Sequence, residues 1–75
     1  MYLFTQNKKV LLDFGHIEVS RNLSGGGRYA LMAWSKTQLG SPVTLGKYED
    51  EEAAMAELQH IVQALQMELP VYEVK

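Results

Sequence analysis

Asp50-Glu51-Glu52-Ala53-Ala54-Met55-Ala56-Glu57-Leu58-Gln59-His60-Ile61-Val62-Gln63-Ala64-Leu65-Gln66-Met67-Glu68-Leu69-Pro70 is the stretch that decides the fold. Its apolar residues recur at helical spacing. At about 100° per residue, Ala54, Leu58, Ile61, Val62, Leu65 and Leu69 fall within an arc of roughly 100°, an amphipathic stripe. Glu52, Gln59, His60, Gln63 and Gln66 lie opposite. Asp50 suits the N-cap, because a short carboxylate accepts the unpaired N–H groups of a first helical turn. Glu51 and Glu52 complement the positive end of the macrodipole. Ala53 stands where a Glu would complete a capping box, so that reciprocal bond is missing. Pro70 cannot continue a helix, which sets the expected span at 51–69.

Outward from this stretch the pattern changes. Up to Tyr48 the apolar residues come in short β-branched and aromatic runs broken by Gly, Asn and Ser. Tyr2–Thr5 and Val10–Asp13 flank Gln6-Asn7-Lys8-Lys9 as a hairpin. Phe14-Gly15-His16 is read as a bend into Ile17–Arg21, which alternates with period two. Asn22 to Gly27 is a flexible connection rich in glycine. Arg28–Lys36 is the longest strand candidate, Thr37–Pro42 a loop, and Val43–Tyr48 a further strand. Val71–Val74 adds a short edge strand after Pro70. The expected fold is α+β: one domain, a four- or five-stranded, mainly antiparallel sheet, and one amphipathic helix packed on one face.

Arg28–Lys36 is apolar on both faces, with Tyr29, Leu31 and Ala33 pointing one way and Ala30, Met32 and Trp34 the other. One helix covers only one face, and a wet outer face should be polar. The excess calls for a second layer from another chain, hence a homo-oligomer such as a dimer, or for a binding surface. A strongly curled sheet that wraps its own aromatics is the competing account.

Seventy-five residues make one small domain, with net stability of roughly 4–11 kcal/mol at the usual value per residue. There is no cysteine, which removes disulfides and thiolate metal sites. Met1–Phe4 meets Thr5-Gln6-Asn7-Lys8-Lys9 at once, too short an apolar run for a signal peptide. No run approaches the ~20 apolar residues of a membrane span. The reading is a cytoplasmic protein with no membrane partner. Residues 1–47 hold six basic and two acidic side chains, net +4, and residues 48–75 hold one basic and seven acidic, net −6. Two solvated faces of opposite sign account for this, as does a basic sheet surface that meets an anion.

Chemistry-bearing constellations are sparse. Gly25-Gly26-Gly27 can turn N–H groups toward a phosphate, with Arg21 and Arg28 as flanking clamps. The spacing matches no P-loop or dinucleotide fingerprint, and a strand follows instead of a helix, so a loop tip is the plainer account. Tyr29, Met32 and Trp34, between Arg28 and Lys36, can stack bases above a basic rim. The pI of about 5.6 disfavours duplex nucleic acid, and core or interface packing also explains them. His16 and His60 alone do not define a metal site, and no serine is paired with a base in sequence. Neither a catalytic residue nor a cofactor is expected. The candidate ligand- or partner-binding residues are therefore Arg21, Gly25, Gly26, Gly27, Arg28, Tyr29, Met32, Trp34 and Lys36.

From Val43-Thr44-Leu45-Gly46-Lys47-Tyr48 through Glu49–Ala54 and on to Leu58, Ile61 and Leu65, the chain resembles a class of small uncharacterised phage and prophage proteins. These open like Leu3-Phe4-Thr5-Gln6-Asn7-Lys8-Lys9, then show a few strands, a Leu-Gly-x-Tyr turn and one acidic-capped helix. The resemblance spans most of the chain but leaves out the glycine loop and Trp34. It implies a non-enzymatic phage accessory protein that acts by binding, either sequestering a small nucleotide signal or occluding a host protein to blunt a host defence. A nucleic-acid-binding regulator is the alternative, and a small enzyme is the third reading.

Overall fold

The computed structural model describes residues 1–37 and 40–75, so part of the Thr37–Pro42 loop lies outside the described residues. The elements run β1 (Tyr2–Phe4), β2 (Leu11–Arg21), β3 (Tyr29–Ser35), β4 (Val43–Tyr48), α1 (Glu51–Gln66) and β5 (Val71–Glu73). They form the α+β fold expected: a five-stranded, mostly antiparallel sheet of order β4-β3-β2-β1-β5, with α1 packed on it. β4 and β5 are the edge strands, and β5 runs parallel to β1.

β2 does not bend at Gly15 but continues through it as one strand of eleven residues. Phe14 pairs with Ser35 and His16 with Trp34, which leaves Gly15 as the extra residue of a bulge. A bulge absorbs the turn of direction without breaking the ladder. In β4, Gly46 pairs with Leu31 and Thr44 with Met32, so Leu45 is a second bulged residue. A Cβ on Gly46 would lie 2.6 Å from the Tyr48 hydroxyl, so the Leu-Gly-x-Tyr segment uses a bare glycine as the bed for its tyrosine.

The sheet curls. The Gln6 N–H donates to Leu45 O at 2.7 Å. Its side-chain Oε1 accepts the Lys47 N–H at 2.9 Å, and Nε2 donates to Lys47 O at 3.4 Å and Lys75 O at 2.8 Å. The end of β1 thus meets β4, although β2 and β3 separate them in the sheet. The core gathers Leu3, Leu12, Leu31, Ala33, Leu45, Ile61 and Val74 between sheet and helix. On the face turned away from α1, Ala30 is buried and Met32 and Trp34 are half-buried. Met32 and Trp34 thus keep part of their apolar surface exposed on that face.

Asp50 caps α1 as read, Oδ1 accepting the Ala53 N–H at 2.8 Å. The other end differs from the reading. The helix stops at Gln66, three residues short of Leu69, in a Schellman reversal: Glu68 N–H donates to Leu65 O and Leu69 N–H to Ala64 O. Glu68 takes the left-handed position with φ of 56°, a role usually given to glycine. The buried face is also rotated from the expected stripe. Ala54, Glu57, Ile61 and Ala64 are buried, while Val62 and Leu65 are exposed.

Candidate functional site

The glycine loop is closed, not slack. Asn22 N–H donates to Arg28 O, and the Asn22 amide donates to Gly25 O at 2.7 Å and Gly27 O at 2.8 Å. Its Oδ1 accepts from the Ser24 N–H and hydroxyl. Three consecutive positive φ angles, 85°, 86° and 140° at Gly25, Gly26 and Gly27, wrap the chain around this one side chain. A Cβ on Gly27 would sit 2.6 Å from Tyr48 O, so only glycine lets the loop lie on the β4 backbone. Lys47 Nζ donates to Ser24 Oγ at 3.3 Å and tethers the loop tip.

Eight of the nine candidate residues divide into two groups, with Met32 between them in mid-β3. Arg21, the glycines, Arg28 and Tyr29 share one end of the sheet, where the Arg21 guanidinium stands 6.0 Å from the centre of the Tyr29 ring. Trp34 and Lys36 share the other end. Arg28 and Lys36 are eight residues apart along β3, about 26 Å at the rise of a strand. Tyr29 shares a face with Leu31 and Ala33, towards α1, whereas Met32 and Trp34 lie on the opposite face. A ligand of nucleotide size therefore does not reach both aromatics or both ends. At the second end Trp34 meets His16 edge-on, with ring centres 5.0 Å apart and planes at 74°. His16 lies 3.2 Å from Glu18, and Lys36 lies 4.0 Å from Asp13. Met32 Sδ accepts from the Thr44 hydroxyl at 3.5 Å.

An open cleft of about 350 Å³ lies between the β1–β2 turn and β4, lined by Gln6, Asn7, Thr44, Leu45, Gly46 and Lys47. None of the nine candidates lines it. Among the described residues, no three His, Asp or Glu side chains converge as metal ligands, and no helix is long and apolar enough to cross a membrane.

The most tightly held polar group went unread in the sequence. Glu57, only 4% exposed, accepts from the Tyr72 hydroxyl and the Lys75 N–H on Oε2, both at 2.8 Å, and its Oε1 stands 3.0 Å from His60 Nδ1. Burial first, and then the hydrogen bond to Glu57, push the Tyr72 phenol above its ordinary range. The Tyr48 phenol is pushed up to about 12 by burial and by the Glu57 charge, and its hydroxyl is buried without a hydrogen-bond partner among the described residues. The one legible signal was spacing: Ala54, Glu57, Ile61 and Ala64 recur at i, i+3, i+7 and i+10. Three of the roughly four acceptor positions of this carboxylate are taken by its own chain, so it acts as a clamp for β5 on α1.

A different surface is left open. On the side of the sheet away from α1, Val71 pairs with Tyr2, and Phe4 pairs with both Glu73 and Leu11. Tyr2, Leu11 and Val71 are exposed, Phe4 is half-buried, and the Lys8 ammonium stands 5.9 Å from the centre of the Phe4 ring while pairing with Glu73. Among known proteins, the chain matches no protein-family model, no curated protein and no solved structure.

Proposed function

We propose that this chain acts by binding a protein, not by catalysis, as a small accessory protein of the phage type that its sequence resembles, occluding a host protein and so blunting a host defence. The observation that carries this reading is the apolar patch of Tyr2, Phe4, Leu11 and Val71, bordered by the Lys8–Glu73 pair. Aromatic and aliphatic anchors inside a charged rim are what a protein interface needs. Sequestration of a nucleotide signal is less well served, because the basic and aromatic candidates lie at two ends and on two faces. The alternative of a nucleic-acid-binding regulator meets the same scatter together with an acidic chain.

The test is affinity capture from host cells with the wild-type chain and with a Tyr2→Ser/Leu11→Asp variant of unchanged melting temperature. The expected result is a specific host protein retained by the wild type and lost by the variant. Equal capture by both would overturn the reading. Recovery of a bound nucleotide that is lost in Arg28→Ala would replace it with nucleotide sequestration.

A further inference from the structure

We infer that α1 carries a second, separate interface, through which two copies of this chain pair helix to helix in antiparallel fashion. The helix presents more apolar surface than the sheet buries. Its sheet side is Ala54, Glu57, Ile61 and Ala64, two alanines and a carboxylate among them. Its large apolar residues stand on the neighbouring shoulder: Met55 is 50%, Val62 37% and Leu65 44% exposed, and Leu58 is half-buried. Met55, Leu58, Val62 and Leu65 are spaced 3, 4 and 3 residues apart, the seam spacing of a two-helix coiled coil.

A second copy fits this seam better than any other occupant because the seam is its own complement. Reversed about a two-fold axis near residue 60, Met55 meets the partner's Leu65 and Leu58 meets the partner's Val62. The polar residues beside the middle and C-terminal part of the seam, Gln59 and Gln66, are uncharged, and the charges that touch it, Glu51 and Glu52, lie at its N-terminal end. Charge also selects the direction. A parallel pair would set Glu49, Asp50, Glu51 and Glu52 of both copies side by side, whereas an antiparallel pair separates the two clusters by the length of the helix, about 24 Å for sixteen residues. It also opposes the two helix dipoles. A seam this short falls in the range of weak interfaces, below about 1,200 Å² in total. The Tyr2–Leu11 patch on the other side of the sheet stays free, so this inference stands or falls apart from the proposed function.

Sedimentation equilibrium from ~10 to ~500 µM tests it, a window suited to a small interface. The expected mass rises towards twice the 8.5 kDa of the chain, and a Val62→Glu/Leu65→Glu variant with unchanged helical content stays at the single mass. The chain has no cysteine, so cross-linking gives the direction cleanly. Gln59→Cys, beside the seam midpoint, forms a disulfide-linked dimer under mild oxidation, and Glu51→Cys, on the seam at its N-terminal end, does not. A single mass at every concentration overturns the inference. So does association that persists in the seam variant or is lost in Trp34→Ala. Efficient linkage through Glu51→Cys with none through Gln59→Cys overturns the antiparallel arrangement.

Discussion

Glu57 illustrates how one residue escapes a sequence reading. A glutamate in mid-helix reads as a solvated side chain, since isolated carboxylates are rarely buried. What makes burial tolerable here is three donors, Tyr72, Lys75 and His60, of which the first two lie fifteen and eighteen residues away and are brought to it only by the return of β5. Removing the carboxylate leaves those donors without their acceptor. Glu57→Ala should therefore cost about 2–3 kcal/mol, and Glu57→Gln only about 1 kcal/mol, because an amide oxygen can still accept from Tyr72 and Lys75. Chemical denaturation of the two variants checks this, and equal losses would show that the hydrogen bonds to Oε2 contribute little. The glycine loop teaches the complementary lesson. Its three glycines were legible as a place of unusual backbone, but that Asn22 would fill the ring from inside depended on contacts within the loop that no periodicity encodes.

At the scale of the element, α1 was legible in its existence, its start and its cap, because these depend on local chemistry: an aspartate before two glutamates and then helical spacing. Its end was not. Pro70 marks where a helix is forbidden, but the chain leaves the helix earlier, at a Schellman turn through Glu68 that no residue type announces. The apolar stripe of the sequence lies about 70° around the helix from the buried face, because its largest side chains do not all point inward. Small residues let α1 approach the sheet, so Ala54 and Ala64 face it. Ile61, 1% exposed, is the anchor. Ile61→Ala should cost about 2–5 kcal/mol, and Leu58→Ala, half-buried on the shoulder, about 1–2 kcal/mol. Thermal unfolding at low concentration separates them, and a larger loss at Leu58 would restore the original stripe.

For the molecule as a whole, the curl of the sheet draws Tyr48 and Tyr72 towards the same buried carboxylate, although β4 and β5 are the two ends of the strand order. Both phenols are raised above the unfolded value of 10, Tyr48 to about 12. The unfolded chain therefore loses its phenolic protons first as pH rises. The stability held in the neutral phenols is fully present below pH 10 and is lost as pH climbs through about 12. The melting temperature should fall across that window, and Tyr48→Phe should make the fall shallower while leaving neutral-pH stability equal or higher, since the hydroxyl it removes has no hydrogen-bond partner among the described residues. Identical alkaline profiles for the two proteins would refute this. Local patterns were enough for the α+β class and the capped helix, because alternation, helical period and capping act over a few residues, but they split β2 at Gly15 where the structure has one strand. They also marked Arg28–Lys36 as apolar on both sides. The fate of that excess depended on packing, which buries Ala30 and leaves Met32 and Trp34 partly exposed. Two bulges and the Gln6 side chain curl the sheet on itself, and pairings between residues some forty positions apart depend on strand register that no local pattern specifies.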